Sequence, residues 1–252
     1  MKEEILVIIP HSSRKRPREI RKEWLSKNQR YLLYSETSET DRYSELLYNF
    51  GKIINNKQAL FPISKVYLNV CRNPNDLDET FPLKIVNKEV YLDNEIPSEA
   101  FRRKLIKKYT VPFYKEISKF KGDLILNAHT TISGHSSLKE EELNHQIIIS
   151  NIQKQAGIIR KFAPDTLIKI YVEELEKRLP NIKIGINSVY VDIYDYFCDK
   201  FGWNNGKGIP IIHQETDEGL YIKNNKLDKK ELSKLRKAFA SALVETVKRY
   251  KE

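Results

Sequence analysis

Two histidines occupy the same kind of position in the chain. His11 follows the apolar run Ile5–Ile9 across Pro10, and His129 follows Leu124–Leu126 across Asn127 and Ala128. Small hydroxyl residues flank both: Ser12 and Ser13 in one case, Thr130 and Thr131 in the other. A single histidine after a strand is usually structural, but two at equivalent strand ends suggest a shared role. A pair of imidazoles with one carboxylate is the usual protein share of a catalytic zinc site, with water in the open position. No short HxxE or HExxH spacing supplies that carboxylate locally, so it must arrive from elsewhere. Glu39-Thr40-Asp41, at an expected helix start, is the nearest polar candidate. Negative charge at a helix N-terminus also accounts for Glu39 and Asp41 without any metal.

Two further groups fit the same chemistry. Glu215, in His213-Gln214-Glu215 after the apolar run Ile209–Ile212, is a carboxylate at a late strand end. Beside a metal it can act as general base for the bound water. Arg72 lies in Asn69-Val70-Cys71-Arg72-Asn73-Pro74, again at an expected strand end. A guanidinium there can fork onto a substrate carboxylate, although a surface ion pair is the other reading. Asn69, Asn187 and Tyr190 can line such a pocket. His213 is expected to face away from Gln214 and to be packed rather than catalytic. Cys198, among Tyr194, Tyr196 and Phe197, is expected in the core. His135 and His145, with Glu140, Glu141 and Glu142, read as a loop near the site mouth.

The elements that must position these groups alternate between strand and helix. Ile5–Ile9 reads as a buried central strand, Val66–Val70 as a second, and Leu124–Leu126, Ile147–Ile149, Ile182–Ile186 and Ile209–Ile212 as four more. Ser38 is placed to cap a helix from about Thr40 to Ile54, with Leu46, Leu47 and Phe50 on one face. Ser98 opens a long helix that Pro112 is expected to break or kink. Pro164 and Asp165 start another, ending before Pro180. Asp228 and Glu231 form a capping box for a closing helix that runs almost to Glu252. Strands separated by helices predict a single three-layer α/β/α domain, residues 1–252, around a mixed, mostly parallel sheet. In such sheets reactive groups gather just beyond the strand ends.

Composition narrows the classes. Of 252 residues, 40% are hydrophobic and 10% aromatic, enough for a sizeable core and too apolar for a disordered tail. Two cysteines, Cys71 and Cys198, cannot make a disulfide framework and point to a reducing, cytoplasmic setting. No apolar run is long enough for a membrane span or a signal-peptide core. Lys plus Arg number 44 against 34 Asp plus Glu, a formal charge of +10. The densest cluster is Arg14, Lys15, Arg16, Arg18, Arg21 and Lys22, yet basic residues are spread along the whole chain. No zinc-finger spacing or aromatic stacking platform accompanies them, so nucleic acid is not the expected partner. Attraction of a small acidic substrate fits the charge as well.

Taken in order, five segments resemble the N-formylglutamate amidohydrolase family, whose fold is similar to that of zinc carboxypeptidases. They are Pro10-His11-Ser12-Ser13; Glu39-Thr40-Asp41 with Leu47-Tyr48; Arg72-Asn73-Pro74; Ala128-His129-Thr130; and Gln214-Glu215 with Gly219-Leu220-Tyr221. The resemblance spans roughly residues 5 to 225. It implies that His11, Asp41 and His129 bind one divalent metal, zinc by preference. Asp41 is favoured over Glu39 by its offset to Leu47-Tyr48. It further implies that Glu215 is the catalytic glutamate and that Arg72 holds the substrate carboxylate. The implied activity is zinc-dependent cleavage of a small N-acyl acidic amino acid such as N-formylglutamate. A carboxypeptidase-like hydrolase, or a non-catalytic anion- or nucleic-acid-binding protein on the same fold, is the alternative. Three positions depart from the family: Cys71 stands for asparagine, Asn127 for aspartate, and Pro112-Phe113-Tyr114 for a segment ending in histidine.

Overall fold

The computed structural model describes residues 3–35, 39–51, 53–85, 87–132, 145–155, 157–188, 194–203 and 208–252. Its centre is a sheet of six strands: β1 (Ile5–Ile9), β2 (Asn56–Leu60), β3 (Leu124–Thr131), β4 (Ile147–Ser150), β5 (Ile184–Ile186) and β6 (Ile211–Asp217). Their spatial order is β2-β1-β3-β6-β4-β5. Every neighbouring pair is parallel except β6 with β4. The sheet is therefore mixed and mostly parallel.

Side chains alternate across a strand, so a continuous apolar run must be covered on both faces. Ile5, Val7 and Ile9 of β1 join the core beneath α2 (Asp165–Arg178) and α4 (Lys229–Lys251). Leu6 and Ile8 join the opposite core, which holds Leu105, Phe113 and Ile117 of α1 (Glu99–Ser118) and Phe197 of α3 (Tyr196–Phe201). Helices thus cover both faces, which makes three layers. Asp228 caps α4 by accepting the N–H groups of Lys230 and Glu231, as its spacing to Glu231 indicates. Among the described residues no helix is long and apolar enough to cross a membrane.

Several local expectations are corrected. Val66–Val70 is not a strand: the Ser64 carbonyl accepts the N–H groups of Tyr67 and Leu68, and the segment turns while its apolar side chains stay buried. The neighbour of β1 is instead the more polar β2. The helix expected from Thr40 to Ile54 shrinks to Ser44–Leu47. Tyr43 at φ +59° and Gly51 at φ +51° bound that stretch with left-handed backbone that no helix can pass through. Leu46 is exposed while Leu47 and Phe50 are buried. Pro112 does not break α1, which runs through it. A proline forfeits one helical N–H bond, and burial of Leu105, Ile106, Phe113 and Tyr114 on either side outweighs that loss. Ser38, Tyr190, His135 and Glu140–Glu142 lie outside the described residues.

Candidate active site

The parallel strands β1, β3 and β6 bring their carboxyl ends to one edge of the sheet, where a cavity of about 290 Å³ opens. His11 enters it from the turn that follows β1. His129 and Glu215 were expected just after their strands, but β3 and β6 extend to include them. Glu215 is the register partner of His129, and His213 that of Asn127. With a period of two, Asn127, His129, His213 and Glu215 share one face and form a two-by-two array on adjoining strands.

Asp41 is fastened to both histidine segments. Its N–H donates to the His11 carbonyl at 3.1 Å, and its Oδ2 accepts the Thr130 N–H at 3.3 Å. That oxygen lies 3.4 Å from His129 Nδ1 and 4.0 Å from His11 Nδ1. Arg42, the next residue, anchors the loop on buried Glu218 through its N–H at 2.7 Å and its guanidinium. Glu39 also lines the cavity, but it is paired with Lys65 at 2.8 Å. The structure thus brings Asp41, rather than Glu39, against the two rings.

The partners of each ring indicate its protons. Asn69 Oδ1, which also accepts the Cys71 N–H at 3.2 Å, faces His11 Nε2 at 3.3 Å, so Nε2 carries the hydrogen. Burial, reinforced by the positive charge of Lys65 and by His129, holds the His11 pKa well below 6.5. His11 is therefore neutral, and its bare Nδ1 faces a carboxylate oxygen. Two acceptors turned toward each other in a buried site fit a shared cation. Burial also opposes charge on His129, but Asp41, Glu215 and Asp195 together outweigh it and raise its pKa above 6.5.

Other donors crowd the same space. Cys71 Sγ is 3.4 Å from His11 Nε2, and His11, Cys71 and His129 offer three donor atoms within 4.8 Å of one another. Burial, followed by the charge of Asp195, pushes the Cys71 thiol pKa well up, so it stays protonated unless a metal displaces the proton. His129, Asp195 and His213 form a second such group.

His213 is not simply packed. Its ring stacks on His129 with centroids 4.8 Å apart, and its Nε2 is 3.3 Å from Glu215 Oε1. His213 faces away from Gln214, and that direction is the cavity side that Glu215 shares. The Asn127 amide donates to Asp195 Oδ2 at 2.8 Å and to His213 Nδ1 at 3.2 Å, with the Cys198 Sγ at 3.8 Å a weaker third partner. His213 Nδ1 is therefore an acceptor, and Nε2 donates to Glu215. Cys198 is buried as expected, and it also lines the cavity.

Arg72 reaches the cavity from a loop rather than a strand end. Its Nη1 donates to the Tyr194 carbonyl, its Nε lies 3.4 Å from Glu79, and the side chain lines the cavity. Lys65 is a second cation in the lining that the sequence reading did not single out. Asn187 lies outside the lining: it sits past the edge strand β5, in reciprocal hydrogen bonds with Asn151. His145 approaches Ser188 and is likewise outside.

No family model matches the sequence, and no curated protein does. Solved structures do share the fold. A gene product of Agrobacterium tumefaciens superposes with a TM-score of 0.69 at 14% identity, covering 100% of this chain and 92% of that one. N-formylglutamate amidohydrolase from Ralstonia eutropha JMP134 gives a TM-score of 0.71 at 13% identity, covering 99% and 95%. A metallo-carboxypeptidase from Burkholderia cenocepacia, at a TM-score of 0.43 and 9% identity over 58% of its length, is too slight a likeness to carry an argument. At these identities the likeness shows the fold, and the fold of this chain is that of N-formylglutamate amidohydrolase.

Proposed function

We propose that the chain is a metal-dependent amidohydrolase acting on a small N-acyl acidic amino acid, N-formylglutamate being the model substrate. One observation carries the reading: the Nδ1 atoms of His11 and His129 both face Asp41 Oδ2, with Glu215 beside His129 on the adjoining strand. His11, Asp41 and His129 would hold the metal, with zinc best suited to two imidazoles and a carboxylate. When bound, zinc lowers the pKa of water beside it and polarises the acyl carbonyl.

The remaining steps belong to the chain's own residues. Glu215, oriented by the Nε2–H of His213, takes a proton from the attacking water and passes it to the departing amine nitrogen. Arg72, steadied by the Tyr194 carbonyl, holds the substrate carboxylate and sets the distance to the scissile bond. A cavity of about 290 Å³ suits a small molecule and favours this substrate class over a polypeptide.

Metal analysis of protein purified without added zinc tests the site. Close to one divalent ion per chain is expected, and His11→Ala and His129→Ala should each lose most of it. Asp41→Asn should also weaken it, and Glu39→Gln far less. Full metal content in both histidine variants would remove the assignment.

A further inference from the structure

Asparagine at position 127 leaves β3 with no carboxylate of its own beside His129, yet a carboxylate stands there. Asp195 comes from a segment 68 residues further along the chain and is buried in the cavity wall. Its Oδ1 does what an N-cap does, accepting the N–H groups of Phe197 at 2.8 Å and Cys198 at 3.4 Å at the start of α3. Its Oδ2 takes no part in the cap. That oxygen accepts from Asn127 Nδ2 at 2.8 Å and lies 3.9 Å from His129 Nε2. His129 Nε2 is itself buried and has no hydrogen-bond partner in the structure. A capping role explains one oxygen of Asp195; the other, held by Asn127, lies beside a buried ring nitrogen that has no hydrogen-bond partner.

We propose that Asp195 is a positioning residue for His129: with the metal bound, its Oδ2, now 3.9 Å away, receives the Nε2–H of that ring and so presents Nδ1 toward Asp41. Asn127 is the bracket that makes this possible. One of its amide hydrogens holds Asp195 Oδ2 in place and the other fixes the His213 ring that orients Glu215. An aspartate at 127 would set two carboxylates against each other here, so asparagine at 127 and aspartate at 195 are complementary choices. Fixing the outer nitrogen of a ligating histidine sets its tautomer and raises its basicity. The inference rests on the metal-site reading of the preceding section.

Asp195→Asn and Asp195→Ser test it, because both replacements still cap a helix. Zinc affinity of the full-length protein is measured by competition with a chromophoric chelator, alongside the unfolding temperature of the metal-free form. Loss of the carboxylate should weaken zinc about 10–100-fold while the metal-free unfolding temperature stays near wild type. In zinc-loaded wild type, a downfield imidazole N–H proton assigned to His129 should appear in the proton NMR spectrum and should vanish or move upfield in Asp195→Asn. Wild-type affinity in both variants, or an unmoved N–H signal, overturns the inference. So does a loss of affinity that merely tracks a large fall in metal-free stability, which would make Asp195 a cap alone. If the wild type binds no zinc, the metal-site reading falls first and this one with it.

Discussion

Glu215→Gln is the most informative single substitution in the cavity. Glutamine keeps the volume, and its carbonyl oxygen can still accept the Nε2–H of His213, which lies 3.3 Å from Glu215 Oε1. Glutamine cannot take up a proton. Losing a positioned general base costs about 10²–10⁴ in rate, or about 2.7–5.4 kcal/mol at about 1.36 kcal/mol per decade. The upper half of that range is expected, because among the described residues every other carboxylate lining the cavity is already engaged. Asp41 is held by Thr130 and faces both rings, Asp195 is engaged by Asn127 and α3, Glu39 is paired with Lys65, and Glu218 with Arg42. The assay follows release of free amine from an N-acyl acidic amino acid by zinc-loaded enzyme, with metal content measured on the same sample. A fall in kcat of about three to four decades with metal retained is expected. A change of less than tenfold, or loss of the metal, would refute the reasoning, the second by showing that Glu215 is a ligand.

Three other outcomes follow from particular contacts. Arg72→Ala should lower kcat/KM for the acid substrate far more than for its carboxamide analogue; with the Arg72 side chain 25% exposed, the loss belongs at the lower end of about 2–5 kcal/mol. An unchanged acid-to-amide preference would make Arg72 a surface ion-pair residue. Tyr48→Phe removes a buried hydroxyl that donates to the His129 carbonyl at 2.9 Å and meets Thr216 Oγ1 at 2.8 Å. It should cost about 1–3 kcal/mol in urea unfolding, and a cost near zero would show those groups finding other partners. Between α2 and α4, Glu174 is paired with Lys177, Arg178 and Arg249, and its pKa is lowered to about 2 by the Lys177 hydrogen bond first, against the opposing effect of burial. A depressed carboxylate stabilises the fold above its unfolded pKa, and that share fades as pH falls from about 4.5 toward about 2. Glu174→Gln should flatten the acid limb of a stability-against-pH curve, and an acid limb of unchanged slope would count against this network.

Much of the architecture is legible in local pattern, because burial periodicity and capping are short-range effects. The run Ile5–Ile9 needs cover on both faces, Asp228 with Glu231 starts α4, and Pro164 with Asp165 starts α2. His11, His129 and Glu215 stand out as candidates too, because strand ends in an α/β sheet are where polar side chains can meet. Asp41, by contrast, is separated from Glu39 in sequence only by the family resemblance. Other features depend on partners that no local window contains. Val66–Val70 reads as a strand from its apolar residues, yet the place beside β1 is taken by the more polar β2, whose register with β1 decides the matter. Pro112 stays within α1 only because the core holds the helix on both sides. His213 has the right period to share a face with Glu215, but whether that face is core or cavity depends on how β6 lies against β3. One oxygen of Asp195 makes only the local contact of a helix cap. Its second oxygen acquires a target only when the segment before α3 folds against β3, 68 residues earlier in the chain. Local sequence thus determines which residues can do chemistry, whereas tertiary packing decides which of them meet, because contact between distant segments is set by sheet register and burial.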